Sequence, residues 1–182
     1  MYNDCEGITT IKKGRDRPEI EGQAPRGPRS TAFLLAQVGA HAAAQFGERL
    51  TELRLSPPHA GILRMIGVSP GLSQQELGRR LRILPSRLVT FLDELQERGL
   101  IERRADTGDR RVYALHRTAA GQRMMEQISR IAREHDAVIC AALTQDEKEL
   151  LGLLLSRIAE EQGLPPGIHP GYRWLGRKPT AE

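Results

Sequence analysis

At Gly99 the hydrophobic period of this chain changes, and that change constrains its fold more than any other feature. Upstream, Leu88, Leu92 and Leu95 recur at spacings of four and three, the buried stripe of an amphipathic helix. Gly99 can take the left-handed backbone that ends such a helix. Downstream, Leu100-Ile101-Glu102-Arg103-Arg104 and Val112-Tyr113-Ala114-Leu115 read as two short strands. Ala105-Asp106-Thr107-Gly108-Asp109-Arg110-Arg111 lies between them and carries turn chemistry, with Gly108 available for positive φ. The pattern is a helix running into a β-ribbon with a basic tip.

Helical periods fill the rest. Leu35, Val38, Ala42, Phe46, Leu50 and Leu53 predict a helix from Ser30 or Thr31 to Leu53, with Ser30 as its cap. Ser56 then caps a second helix with Pro57 at its first position, where a missing N–H costs nothing. Its buried face is Ile62, Leu63 and Ile66. Ser69-Pro70-Gly71 is a turn, and Ser73-Gln74-Gln75-Glu76 reads as a capping box opening a short helix with Leu77 and Leu81 inward. The helix with the Leu88 stripe starts near Pro85. After the ribbon, a long helix is expected from Thr118 to about Leu143. Its Met124, Ile128, Ile131, His135, Val138 and Ala142 form a heptad-like seam that suits a dimer. Thr144-Gln145-Asp146-Glu147 is a second capping box, before a helix with Leu150, Leu151, Leu154 and Ile158. Gly163-Leu164-Pro165-Pro166 ends it.

This order predicts a mainly α fold with a small β-hairpin wing: a winged helix-turn-helix plus a helical dimerisation domain. The expected organisation is a flexible arm over 1–29, an N-terminal dimerisation helix over 30–55 and the winged unit over 56–117. C-terminal dimerisation helices follow over 118–163, then a Pro/Gly-rich tail over 164–182. A chain of 182 residues suits one domain with appendages.

Several classes are disfavoured. No run of 18 apolar residues exists, so no transmembrane helix is expected, and the first residues lack an apolar signal-peptide core. A cytoplasmic protein is the simple expectation. Cys5 and Cys140 form no CxxC motif, so neither a disulfide framework nor a zinc ribbon is indicated. There is no nucleophile elbow, phosphate loop or HExxH pair, so no enzyme, cofactor or metal is expected.

Charge is distributed unevenly. Ser56 to Thr118 holds eleven arginines and no lysine against seven acidic residues, whereas Ala119 to Gly163 has five basic and eight acidic residues. A localised positive field suits a polyanion, because phosphate contacts supply most non-specific affinity for nucleic acid. The candidate double-stranded DNA contacts follow from the helix-turn-helix geometry. Opposite the Leu88 stripe, Ser86, Arg87 and Thr90 would face the major groove, with Arg87 suited to guanine or phosphate. Ser73, Gln74 and Gln75 sit at a helix N-terminus, a natural phosphate site. Arg104 joins the basic strand. Arg110 and Arg111 form the wing tip, where an arginine can enter the minor groove, and Asp109 can hold Arg111 in place.

From about Leu34 to Ile158 the chain resembles the multiple-antibiotic-resistance regulator (MarR) family. The resemblance rests on ERLTELRLSPPHAGILRMI, LSQQELGRRL, SRLVTFLDELQERGLIERR and TGDRRVYALHRTAAG. It implies a homodimer made by the terminal helices, binding to a palindromic operator, and usually repression relieved by a small molecule or an oxidant. It also implies that the Asp-x-Arg of the wing, here Asp109 and Arg111, places an arginine at the minor groove. Two departures stand out. Arg117-Thr118 replaces the usual Leu-Thr, losing an apolar contact, and Leu84-Pro85 stands where a Ser or Asp cap is common.

The resemblance implies a phenolic-type ligand between dimer helices and winged domain. His41, His59 and His135 are the candidates for such a site. Competing readings are a winged-helix module that binds protein, and a redox- or metal-responsive regulator using Cys5, Cys140 or His135.

Overall fold

In a computed structural model, the structure describes residues 30–105 and 113–169. Among these are six helices: α1 Thr31–Thr51, α2 Pro57–Val68, α3 Gln74–Leu81, α4 Pro85–Glu97, α5 Ala119–Ile139 and α6 Gln145–Glu161. Three short strands accompany them: β1 Leu72–Ser73, β2 Ile101–Ala105 and β3 Tyr113–Arg117. The ribbon strands pair antiparallel, Ile101 opposite Arg117 and Ala105 opposite Tyr113. The sheet order is β1-β3-β2, so Leu72 and Ser73 add a third strand that alternation could not reveal in two residues.

The core belongs to the segment between α1 and α5. Ile62, Leu63 and Ile66 of α2, Leu77 and Leu81 of α3, Leu88, Leu92 and Leu95 of α4, and Leu115 of β3 are all fully buried. The helix residues are expected inward positions, and Leu115 lies in β3 beside Ala114, which is also buried. Gly99 sits at φ +66 and ends α4 as expected. Pro57 and Pro85 open their helices.

The ends of the chain depart from expectation. Ser30 makes no side-chain bond to α1. The stripe on α5 does not form a free seam: Ile128 is buried in the chain's own core, Met124 packs on that core, and Ile131 is buried as well. Val138 is exposed, and Ala142 lies beyond the last residue of α5. Periodicity showed that this face is covered but not by what. Most of the apolar surface left over is on α6, which has no buried residue, and on the first half of α1. Beyond α6, Ile168 returns to pack on the core, and Arg64 of α2 donates to the Gly167 carbonyl.

Candidate nucleic-acid interface

Helix α3 and helix α4 meet at a tight turn. Arg82 adopts a left-handed backbone at φ +55, and the Ile83 N–H donates to the Gly78 carbonyl at 3.1 Å. This is the hydrogen-bonding closure that ends a helix sharply. Gly78 lets the two helices approach: a Cβ there would stand 3.1 Å from the Leu88 side chain.

At the start of α3, Ser73 Oγ accepts from the Glu76 N–H at 3.2 Å. The returning half of the expected capping box is missing. Glu76 instead accepts from Arg79 at 2.7 and 2.8 Å and from Arg80 at 2.6 Å. The Arg79 and Arg80 guanidinium groups lower its carboxyl from 4.5 to about 2. Two cationic donors outbid a single backbone amide for the same carboxylate. Gln75 is exposed and Gln74 half-buried in this first turn, where backbone N–H groups have no intrahelical acceptor.

Helix α4 turns its leucine stripe inward and leaves Ser86, Arg87, Val89 and Thr90 exposed on the other side. Arg87 has no ion pair among the described residues. Thr90 Oγ donates to the Ser86 carbonyl at 3.4 Å. Leu84 provides no side-chain cap, as its identity requires.

The C-terminal half of α4 is fastened from three directions. Arg103 of β2 donates to Asp93 and Gln96, each at 2.7 Å. Arg98 donates to the carbonyls of Leu53 and Arg54 at 2.9 and 2.7 Å. Glu94 pairs with His59 of α2 at 2.7 Å. The helix is therefore held by its rear and free at its front.

Arg104 is exposed on β2 and pairs with Glu102, its Nε at 3.0 Å. Asp109, Arg110 and Arg111 lie outside the described residues, as does Cys5. The three histidines have separate settings. His41 is exposed on α1. His135 stacks at an angle on Phe46, with a buried Nδ1 that has no partner among the described residues. His59 is buried and fully bonded, its pKa lowered by desolvation. Cys140 is a half-buried free thiol at the end of α5. Among the described residues, no group of three His, Cys, Asp or Glu side chains could hold a metal ion, and no helix is long and apolar enough to cross a membrane.

Sequence reasoning passed over Arg79, Arg80 and the whole rear fastening of α4. The i+3 and i+4 spacing from Glu76 was a readable signal for the first two. Nothing local marks a bond between residues 35 apart, such as His59 and Glu94.

Two helices joined by a tight turn, followed by a ribbon that returns beside the first of them, define a winged helix-turn-helix protein. Residues 55–112 match the model of the MarR family. Over 129 residues the chain is 30% identical to the HTH-type transcriptional repressor Rv2887 of Mycobacterium tuberculosis, covering 71% of this chain and 93% of that protein. The structure of Rv2887 in complex with DNA superposes with a TM-score of 0.63 at 28% identity, covering 71% of this chain and 97% of the other. Its complex with p-aminosalicylic acid gives a TM-score of 0.60 at the same identity, covering 71% and 98%. The chain belongs to the MarR family of transcription regulators.

Proposed function

We propose that this chain is a sequence-specific, double-stranded DNA-binding repressor that acts as a homodimer on a palindromic operator and is released by a small-molecule effector. One observation carries the reading: the front of α4 presents Ser86, Arg87 and Thr90 to solvent, while its stripe and rear are locked into the core. A helix so held can enter the major groove without first paying to become ordered. Ser73, Gln74 and Gln75 flank it as phosphate contacts, and Arg104 continues the basic surface along the ribbon. Arg110 and Arg111, with Asp109 as orienting partner, extend the interface at the wing tip. The winged unit spans 56–117, and residues 30–55 and 118–163 serve dimerisation. The protein works in the cytoplasm and performs no catalysis.

The dimer is supported by unpartnered apolar surface. Leu150, Leu151, Leu153, Leu154, Leu155 and Ile158 of α6 are all exposed, as are Phe33, Leu34, Leu35 and Val38 of α1. Contiguous apolar surface of this kind marks an interface. Effector release is supported by the relative crystallised with p-aminosalicylic acid, which suggests a phenolic ligand.

The test is titration of a duplex from upstream of the protein's own coding sequence at several salt concentrations. Affinity should fall steeply with salt and exceed that for an unrelated duplex of equal length. Binding without a salt slope, or without preference for that duplex, would overturn the proposal.

A further inference from the structure

The buried ring of His59 occupies a defined place between two elements. It lies in the first turn of α2 and reaches α4, with 7% of its surface exposed. Its Nδ1 accepts from the Ser56 N–H at 3.1 Å and lies 2.8 Å from Ser56 Oγ. Its Nε2 lies 2.7 Å from Glu94 Oε2. An ionised carboxylate only accepts, so Nε2 carries the hydrogen and donates. Nδ1 must then keep its lone pair, because the Ser56 N–H needs an acceptor. One neutral tautomer satisfies every bond. Phe91 of α4 packs edge-on against the ring, with centroids 5.0 Å apart.

We propose that His59 is a positioning residue for α4, and that the clasp Ser56–His59–Glu94 holds the helix in its DNA-reading orientation only while the imidazole is neutral. This rests on the DNA-binding reading above. A proton added at Nδ1 can be taken by Ser56 Oγ at 2.8 Å, but it also faces the Ser56 N–H at 3.1 Å. That backbone N–H loses its acceptor, donor faces donor, and the ring shifts in its site to relieve the contact. Glu94 and Phe91 move with it: Glu94 is one turn from the exposed Thr90 and two from Arg87, and Phe91 is one turn from Arg87 and next to Thr90.

The charged groups acting on His59 are Glu94 of α4 and Arg98, the residue that follows that helix. Glu94 favours the proton and Arg98 opposes it. Among the described residues no charged group of α1, α3, α5 or the sheet contributes. Desolvation outweighs Glu94 and keeps the ring neutral around neutral pH. Burial thus sets the closed clasp as the resting state, and mild acid opens it. By linkage, whatever proton uptake weakens in DNA binding, DNA binding weakens in proton uptake.

Three proteins separate this from a purely structural role: wild type, His59→Gln and His59→Ala. A glutamine amide can still donate to Glu94 but does not titrate. Each is titrated with the upstream duplex at pH 7.5 and 5.5 at fixed salt, with circular dichroism confirming the fold at both. We expect wild type to lose at least about fivefold more affinity on acidification than His59→Gln. His59→Ala should bind weakly at both pH values, and His59→Gln should recover most of that loss at pH 7.5. Equal pH ratios for wild type and His59→Gln, or wild-type affinity in a folded His59→Ala, would refute the clasp. If wild type shows no salt-dependent preference for the duplex at pH 7.5, the DNA-binding reading fails instead. The clasp can then still be judged by the imidazole NMR titration of His59. A ring that titrates at or above the ordinary histidine value with no accompanying shift in Phe91 would refute it without DNA.

Discussion

Gly121 lies directly against the carbonyl of Leu100: a Cβ at this position would overlap the oxygen. Around that contact, the Thr118 N–H donates to the same carbonyl at 3.1 Å, and Thr118 Oγ donates to the Gly99 carbonyl at 2.7 Å. The Thr118 hydroxyl also accepts from the Gly121 N–H at 3.0 Å. Thr-x-x-Gly is thus a joint. It caps α5 and seats it on the end of α4, linking the winged unit to the helices beyond. Gly121→Ala should destabilise the fold by about 1–3 kcal/mol, because the obstacle is backbone rather than a mobile side chain. Urea unfolding measures this. A midpoint within error of wild type would show that the joint yields.

The replacement of Leu by Arg117 has a structural counterpart. The Arg117 guanidinium lies over Gly67 of α2, in space that any side chain there would take. The arginine thus packs against Gly67, a contact of its own in place of the apolar one. Gly67→Ala should displace the guanidinium, offsetting the roughly 1 kcal/mol that alanine gains over glycine within a helix. In an Arg117→Ala background that gain should appear in full. A double-mutant cycle reads the difference as a coupling energy, and a coupling of zero would dissociate the two positions.

Which parts of this were legible follows from how far each signal reaches along the chain. The Leu88, Leu92, Leu95 stripe and Gly99 fixed α4 and its end, because helix period and helix stop are local. The ribbon strands followed from the change of period. Ser73 and Glu76 suggested a reciprocal cap, but Arg79 and Arg80 compete for the carboxylate, and pattern alone does not rank competitors. Ile128 and Ile131 had the right spacing for a seam, yet the surface covering them is intramolecular. The ion pair of Glu94 with His59 spans tertiary distance and left no local trace. The candidate groove contacts Ser86, Arg87 and Thr90 were legible as an outward face, since burial of one side of a helix fixes the other.

Stability should fall in two stages on acidification. His59 has a folded pKa below its ordinary 6.5. Between those values the unfolded chain binds a proton that the folded chain resists, so stability is full above about 6.5 and declines below it. Glu76 titrates near 2 when folded against 4.5 normally. Its contribution is present above 4.5 and disappears toward pH 2, and solvent exposure keeps it small. Urea midpoints across pH should show His59→Gln removing the upper stage and Glu76→Gln flattening part of the lower one. An unchanged upper stage in His59→Gln would assign it to another group.

Arg87→Ala and Arg111→Ala should separate affinity from stability. Arg87 is exposed and has no ion pair among the described residues, so its loss should alter stability by less than about 0.5 kcal/mol. A phosphate role predicts a salt slope reduced by about one, whereas a guanine role predicts a base-specific loss of about 1–3 kcal/mol. Arg111→Ala should likewise weaken binding at little cost in stability. Leu92→Ala is the contrast: it removes a fully buried side chain and should cost roughly 2–5 kcal/mol. Unchanged duplex affinity in both arginine variants would remove α4 and the wing tip from the interface.

Leu154→Glu tests the assembly. Helix α6 has no buried residue and Leu154 is 44% exposed, so a charge there enters no buried position of the chain. In a dimer interface the same charge would be stranded among Leu150, Leu151, Ile158 and their counterparts, at a cost no surface substitution carries. The expected result is wild-type helicity by circular dichroism together with a change from dimer to monomer in sedimentation equilibrium. A palindromic duplex should then be bound far more weakly, since the two half-sites no longer share one complex. A variant that still sediments as a dimer would move the interface away from α6, toward Phe33, Leu34 and Val38 of α1.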